Sequence, residues 1–344
     1  MKDVTIVGAT GAVGAELRSI LADRGVEASN LRLFASPRSA GRSLDHRGAS
    51  IRVESADAES IRAAFEASDT VFLAATAEAS RRLAPIAIEA SCVVIDNSSA
   101  FRADPDCPLV VWGVNESVLD EFERPGVIAN PNCSTIIALA AIAPLRRLGR
   151  LRRMTVCTYQ AISGAGAEAM GELESQARAW AAEEPLPATH LGRQAIFNVF
   201  SHDSDVDDDG VNREERKLET ESRRILEAPE LLVSSTCVRV PVLRAHSEAI
   251  HLEFDRTVDV DAARAALANA PGLEIVDDRE GDRFPEPIHA TGRDEVLVGR
   301  IRRDPGVPDG RGLALFAAGD QLRKGAALNA VQIADAIDAR PGPR

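Results

Sequence analysis

Val4-Thr5-Ile6-Val7-Gly8-Ala9-Thr10-Gly11-Ala12-Val13-Gly14 puts an apolar, β-branched run, a glycine turn and a helix start in immediate succession. Val13, Leu17, Ile20 and Leu21 then recur at helical spacing and give that helix one apolar face. Strand, glycine turn and helix are the context that a dinucleotide fingerprint requires. Glycines let the main chain approach a pyrophosphate at a helix N-terminus, where unpaired N–H groups and the dipole favour an anion. The spacing is G-x-x-G-x-x-G, a variant of the usual pattern, and the competing reading is a tight strand-to-helix connection with no ligand.

Working outward, short apolar runs recur at Leu31–Ala35, Val71–Ala75, Val93–Asp96 and Val127–Ala129, with helix-like segments between several of them. This alternation predicts a parallel α/β sheet over the N-terminal part of the chain. From Leu151 the texture changes to longer alternating strands, expected at Thr236–Leu243 and Glu248–Val258, with helices near Gly166–Ala182 and Arg213–Leu226. That pattern reads as an α+β second domain. Leu322–Ala339 carries apolar residues at helical spacing and is expected to pack back on the first domain. The expected boundaries are therefore 1–129, completed by a C-terminal helix at 320–340, and 130–319.

At 344 residues the chain exceeds what one core usually covers, which favours two domains. With 40 basic and 53 acidic residues, a formal charge of −13 argues against a nucleic-acid or anionic-membrane surface, though local cationic pockets remain compatible with it. Five cysteines without a C-x-x-C pair suit a reducing compartment better than a disulfide framework or a zinc site. Met1-Lys2-Asp3 runs into the first strand without a leader pattern, and the apolar run Ile136 to Leu145 is too short to span a bilayer. The expectation is a cytoplasmic protein. Asp205-Val206-Asp207-Asp208-Asp209-Gly210 opens like a calcium loop, but its twelfth position is Arg216 where a bidentate Glu belongs, so no metal is expected.

Two further stretches point to chemistry. After the second strand an NAD site normally presents a carboxylate to the ribose; this chain presents Ser36-Pro37-Arg38-Ser39-Ala40-Gly41 instead. A guanidinium with two hydroxyls suits a 2′-phosphate, which favours NADP over a solvated loop arginine. Asn130-Pro131-Asn132-Cys133-Ser134-Thr135 sets a thiol at the mouth of an apolar helix, where unpaired N–H groups stabilise a thiolate or a neighbouring oxyanion. Cys92, Cys107, Cys157 and Cys237 read mostly as small buried hydrophobes.

A nucleophilic cysteine wants a base. His246, in an expected turn Arg244-Ala245-His246-Ser247, is the candidate, whereas alternation places His251 on a solvated strand face with Glu253 and Asp255. Arg239, flanked by Val238 and Val240, calls for an anionic partner, either a structural carboxylate or a substrate. Glu214 and Lys217 share a helix face at i,i+3 and, on spacing alone, are as well read as a solvated pair. Asn97–Arg102 and Gln160–Gly166 stay ambiguous between polar loops and anion sites.

Taken together, these segments resemble the aspartate-semialdehyde dehydrogenases over nearly the whole chain. Gly8–Gly14, Ser36–Gly41, Asn97–Arg102, Asn130–Thr135, Tyr159–Gly166, Glu214–Lys217, Arg239–His246 and Gly319–Gln332 occur in that family's order. The resemblance implies an N-terminal Rossmann-like dinucleotide-binding domain with a second α+β catalytic and dimerisation domain. It implies Cys133 as nucleophile, His246 as acid/base and Gln160 as an orienting group for the acyl carbon. Arg102 and Lys217 would hold phosphate, Arg239 the substrate carboxylate and Glu214 its amino group, with Asn132 also at the substrate. NADP contacts would come from Gly8, Thr10, Gly11, Ala12, Val13, Gly14, Ser36, Arg38, Ser39, Ser163, Gly164 and Gln321.

The implied reaction is NADPH-dependent conversion of L-aspartyl 4-phosphate to L-aspartate 4-semialdehyde through a cysteine thioester, in a homodimer or dimer of dimers. An N-acetyl-γ-glutamyl-phosphate reductase and a non-catalytic paralogue are the alternatives. Phe200-Ser201-His202-Asp203 departs from the family pattern and is expected to lie away from every residue given a role.

Overall fold

The computed structural model describes residues 2–57 and 59–340, and the chain divides into two compact units: Met1–Pro131 with Ala326–Arg344, and Asn132–Gly325. The first unit runs β1 (Val4–Val7), α1 (Ala12–Asp23), β2 (Leu31–Ala35), β3 (Ser43–His46), β4 (Ala49–Ser55), α2 (Ser60–Glu66), β5 (Thr70–Leu73), α3 (Ala77–Glu89), β6 (Val93–Asp96) and β7 (Gly126–Ala129). Its sheet has the order β3-β4-β2-β1-β5-β6-β7. All pairs are parallel except β3 with β4.

Burial explains the parallel core. β1, β5 and β6 are buried at every position, as strands covered on both faces must be. Leu17, Ile20 and Leu21 of α1 pack on one face together with Leu328, Val331 and Ile337 of the C-terminal helix Leu328–Asp338. Ile61 and Phe65 of α2 and Leu83 and Ala87 of α3 cover the other. Strand order reverses between β1 and β5, so the glycine turn after β1 lies at the switch point where open α/β sheets bind ligands.

The β3–β4 hairpin is a departure from the sequence expectation. Arg47 (φ 54°) and Gly48 (φ 81°) make a two-residue turn with both φ angles positive, and the strands they join are mostly polar and exposed.

In the second unit, α4 (Cys133–Ile142), β8 (Leu151–Gln160), α5 (Ala167–Ala181), β9 (Phe200–Ser201) and α6 (Arg213–Ile225) are followed by β10 (Leu232–Arg239) and β11 (His246–Phe254). Then come α7 (Val260–Ala268), β12 (Leu273–Ile275), α8 (Pro287–Ala290), β13 (Val296–Arg303) and β14 (Gly312–Gly319). The sheet order is β12-β13-β14-β11-β8-β10-β9, with parallel and antiparallel pairs mixed. α4 packs on β11, β13 and β14, and α6 packs on β10. The expected strand Thr236–Leu243 is shifted toward the N-terminus because Pro241, lacking an N–H, cannot extend the ladder. Among the described residues no helix is long and apolar enough to cross a membrane.

Candidate functional site

Cys133 is the first residue of α4. Asn132 is its N-cap, and the Asn132 side-chain oxygen accepts from the Ser134 and Thr135 N–H groups at 3.0 and 3.3 Å. The Cys133 sulfur lies 3.6 Å from Nε2 of His246. Room for this pairing comes from two glycines: a Cβ on Gly325 would sit 3.0 Å from the Cys133 Cβ, and one on Gly164 would sit 3.3 Å from the His246 Cε1.

His246 is not in the turn that the sequence suggested. It begins β11 and is fully buried; the turn is made by Ala245, with φ 71°. The Ala161 N–H donates to Nδ1 of His246 at 3.0 Å, so the neutral ring carries its proton on Nε2, facing the sulfur. Burial, reinforced by the charge of Arg239, pulls the imidazole down to about 3. In this arrangement His246 presents a neutral ring with its Nε2–H toward the Cys133 sulfur.

A hydrogen-bonded cluster adjoins this pair. Arg239 at the end of β10 is paired in register with Gln160 at the end of β8. Its Nη1 donates to Gln160 Oε1 and the Ala161 carbonyl at 3.2 and 3.1 Å, and its Nε donates to Asp203 at 2.9 Å. Gln160 Nε2 donates to Ser134 Oγ at 3.0 Å and Glu214 Oε1 at 3.2 Å, bracing α4 to α6. Glu214 also accepts from Asn132 Nδ2 at 2.8 Å and Lys217 at 3.0 Å. Burial alone would push the Glu214 carboxyl up, but Lys217, His202 and the Asn132 hydrogen bond outweigh it and hold the carboxyl at about 2. The i,i+3 pair that spacing could equally place in solvent thus contains a buried, ionised carboxylate.

Asp203 and His202 belong to this cluster, contrary to the expectation that their segment lies apart. Asp203 neutralises a guanidinium that is itself 3% exposed, as a buried charge requires. Arg239 in turn holds the Asp203 carboxyl below its usual range against the upward push of burial. His202 is pulled down by burial and feels the charges of Glu214 and Arg239. Nothing in the acidic run Asp203–Asp209 marked its first residue as different from the rest. Ser163 and Gln321 are buried and bonded to each other, and the Gln321 oxygen accepts from the Ala245 N–H at 2.9 Å, which steadies the turn before His246.

The other unit holds the remaining candidates. Gly8 has φ 90°, and a Cβ there would collide with the Ala74 carbonyl oxygen at 2.1 Å; one on Gly14 would meet the Gly8 oxygen at 2.2 Å. Gly11 caps α1 and offers no side-chain acceptor to the first-turn N–H groups of Ala12, Val13 and Gly14. Ser36, Arg38 and Ser39 form a turn closed by the Ser39 and Ala40 N–H groups on the Ser36 carbonyl. Arg38 is exposed and has no carboxylate partner among the described residues. Arg102 donates from Nε to the Asn130 carbonyl and from Nη2 to the Asn97 carbonyl, both at 2.9 Å. Asn130 is further tied to Asn97 at 3.0 Å and to Asn329 at 2.6 Å, a line of amides that sequence reading did not find.

A doubly wound domain with a glycine turn, in one chain with a second unit that brings a thiol, an imidazole and a guanidinium together, has the make-up of a nucleotide-linked dehydrogenase. Family models described as the NAD binding domain and the dimerisation domain of semialdehyde dehydrogenase match residues 3–122 and 142–324. Aspartate-semialdehyde dehydrogenase from Synechocystis is 46% identical over 97% of this chain and 96% of that protein. The Mycolicibacterium smegmatis enzyme is 44% identical over 98% and 99%. The chain belongs to the aspartate-semialdehyde dehydrogenase family. Among solved structures, aspartate semialdehyde dehydrogenase II of Vibrio cholerae complexed with ASA superposes with a TM-score of 0.92 at 37% identity, covering 98% of each chain. The Candida albicans enzyme with NADP gives 0.75 at 25% identity, covering 98% of this chain and 99% of that one.

Proposed function

We propose that this chain converts L-aspartyl 4-phosphate to L-aspartate 4-semialdehyde with NADPH, through a thioester on Cys133, in aspartate-family amino-acid biosynthesis. The observation that carries the reading is the single hydrogen-bonded cluster of Asn132, Gln160, Glu214 and Arg239 beside the Cys133–His246 pair. The Cys133 thiolate attacks the acyl carbonyl, a C–S bond forms, and the bond to the phosphate oxygen breaks. Bound NADPH supplies the hydride that reduces the thioester. The His246 Nε2–H donates to the carbonyl oxygen as negative charge develops there, and collapse frees the aldehyde and returns the sulfur as thiolate.

Arg239 holds the substrate carboxylate, and ionised Glu214 faces its ammonium group. An acetylated amine would bring no charge to Glu214, which favours this substrate over an N-acetylated acyl phosphate. Arg102 and Lys217 hold the phosphate. The uncapped start of α1, the close-packed Gly8 and Gly14 and the unpaired Arg38 fit an NADP pyrophosphate and 2′-phosphate. The protein acts in the cytoplasm as a dimer or dimer of dimers; Tyr159, 41% exposed, and Phe316 form an aromatic pair that a second copy would cover. Assaying purified protein with L-aspartyl 4-phosphate and the N-acetyl-γ-glutamyl analogue side by side tests the reading. Turnover of the second alone, or of neither, would overturn it.

A further inference from the structure

We propose that Glu221 is a positioning residue for the nucleophile: it completes, from α6, the N-terminal capping box that α4 lacks. In a capping box the N-cap side chain accepts from a first-turn N–H, and a Glu or Gln at the third helical position accepts from the N-cap N–H. α6 has this arrangement within itself. The Asn212 side chain takes the Glu215 N–H at 2.9 Å, and Glu215 takes the Asn212 N–H at 2.9 Å.

α4 has only the first half. Asn132 caps Ser134 and Thr135, but the third helical residue is Thr135, whose short side chain makes no hydrogen bond through Oγ1. The missing acceptor is Glu221, whose Oε2 takes the Asn132 N–H at 2.7 Å.

The geometry of α6 supports this assignment. Glu214, Leu218, Glu221 and Ile225 share its buried face at helical spacing, and Glu221 is 4% exposed. A carboxyl buried on a helix face is costly unless it has hydrogen-bond partners. Glu214 and Glu221, two helical turns apart, grip the same residue: Glu214 takes the Asn132 side-chain amide and Glu221 its main-chain N–H. The residue so held immediately precedes Cys133, so both the direction of the first turn of α4 and the place of the sulfur depend on this grip.

The inference rests on Cys133 as the reactive thiol and is tested by a readout independent of hydride transfer. Alkylation of Cys133 by iodoacetamide, followed by peptide mass spectrometry, is compared in parent, E221Q and E221A, together with kcat and KM for the semialdehyde. E221Q keeps an acceptor oxygen and is expected within about threefold of the parent. E221A is expected to lose about tenfold in both alkylation rate and kcat, the scale of one hydrogen bond, with KM nearly unchanged. If E221A does not fold, E221M, similar in length but without an acceptor, takes its place against E221Q. Parental alkylation and kcat in E221A or E221M, or equal losses in E221Q, overturn the proposal. If instead parental Cys133 reacts no faster than Cys157, the nucleophile assignment itself fails.

Discussion

Gly164→Ala is the sharpest steric probe of the cluster. A Cβ at this position would lie 2.5 Å from Arg239 Nη1, 3.3 Å from His246 Cε1 and 3.4 Å from His246 Nε2. Gly164 does not occupy the positive-φ region, so the added methyl brings no backbone strain and acts through contact alone. The Arg239 head group cannot swing away freely, being 3% exposed and tied at Nε to Asp203, so relief must come from releasing Nη1 from Gln160 Oε1 or the Ala161 carbonyl. A hydrogen bond to a charged group contributes about 1.5–3 kcal/mol, which converts to a loss of roughly 10- to 150-fold in kcat/KM. Because Arg239 is proposed to hold the substrate carboxylate, the loss should appear chiefly as a raised KM. Steady-state kinetics with the semialdehyde reads this, and Gly171→Ala is the control. Gly171 is in α5 with nothing within 4 Å of a built Cβ. Its replacement should leave kinetics unchanged and stabilise by about 0.5–1 kcal/mol. A Gly164→Ala enzyme with parental kcat/KM would refute the packing of Arg239 and His246 described here.

Further outcomes follow from other groups. Glu248 is fully buried with neither carboxyl oxygen bonded, and burial, then the charge of Glu214, raises its carboxyl well above the usual value. Its unfolded form ionises above about pH 4.3 while the folded form stays protonated, so its presence costs stability increasingly as pH rises. The Tm advantage of Glu248→Gln over the parent should therefore grow from pH 5 to pH 8, and a constant difference would contradict the reading. His246 has the opposite sense: its folded form stays neutral down to about pH 3, so the stability it contributes is present above about 6.5 and fades on acidification. The Tm gap between parent and His246→Gln should shrink from pH 7.5 to pH 5. Arg38→Ala should lower the preference for NADP over NAD by roughly tenfold or more by removing a charge-assisted phosphate contact, and an unchanged ratio in cofactor kinetics would remove Arg38 from the cofactor site.

What the sequence made legible was local. β1 and β6 could be read to the residue because each is a short β-branched run buried on both faces. Cys133 at a helix mouth was equally visible, since the capping Asn132 and the apolar run after it are its neighbours in the chain. The β3–β4 hairpin was not, because a polar, exposed edge pair has no apolar alternation to betray it. His246 could be nominated but its tautomer could not: the Ala161 N–H that sets it comes from a different strand end, brought near by the pairing of β8 with β11. Asp203 and Glu221 stayed hidden for the same reason. One looks like part of a solvated acidic run and the other like an ordinary helix acid, until the packing of α6 on β10 and α4 supplies their partners.

The central claim is a thioester on Cys133, and a phosphate-free single turnover tests it most directly. Mixing the protein with NADP and L-aspartate 4-semialdehyde without phosphate or arsenate should release a burst of NADPH stoichiometric with active sites and leave an acyl adduct on the peptide containing Cys133. Adding phosphate should then discharge the adduct and restore turnover. A burst that survives Cys133→Ala, or steady phosphate-independent turnover with no adduct on Cys133, would contradict the account.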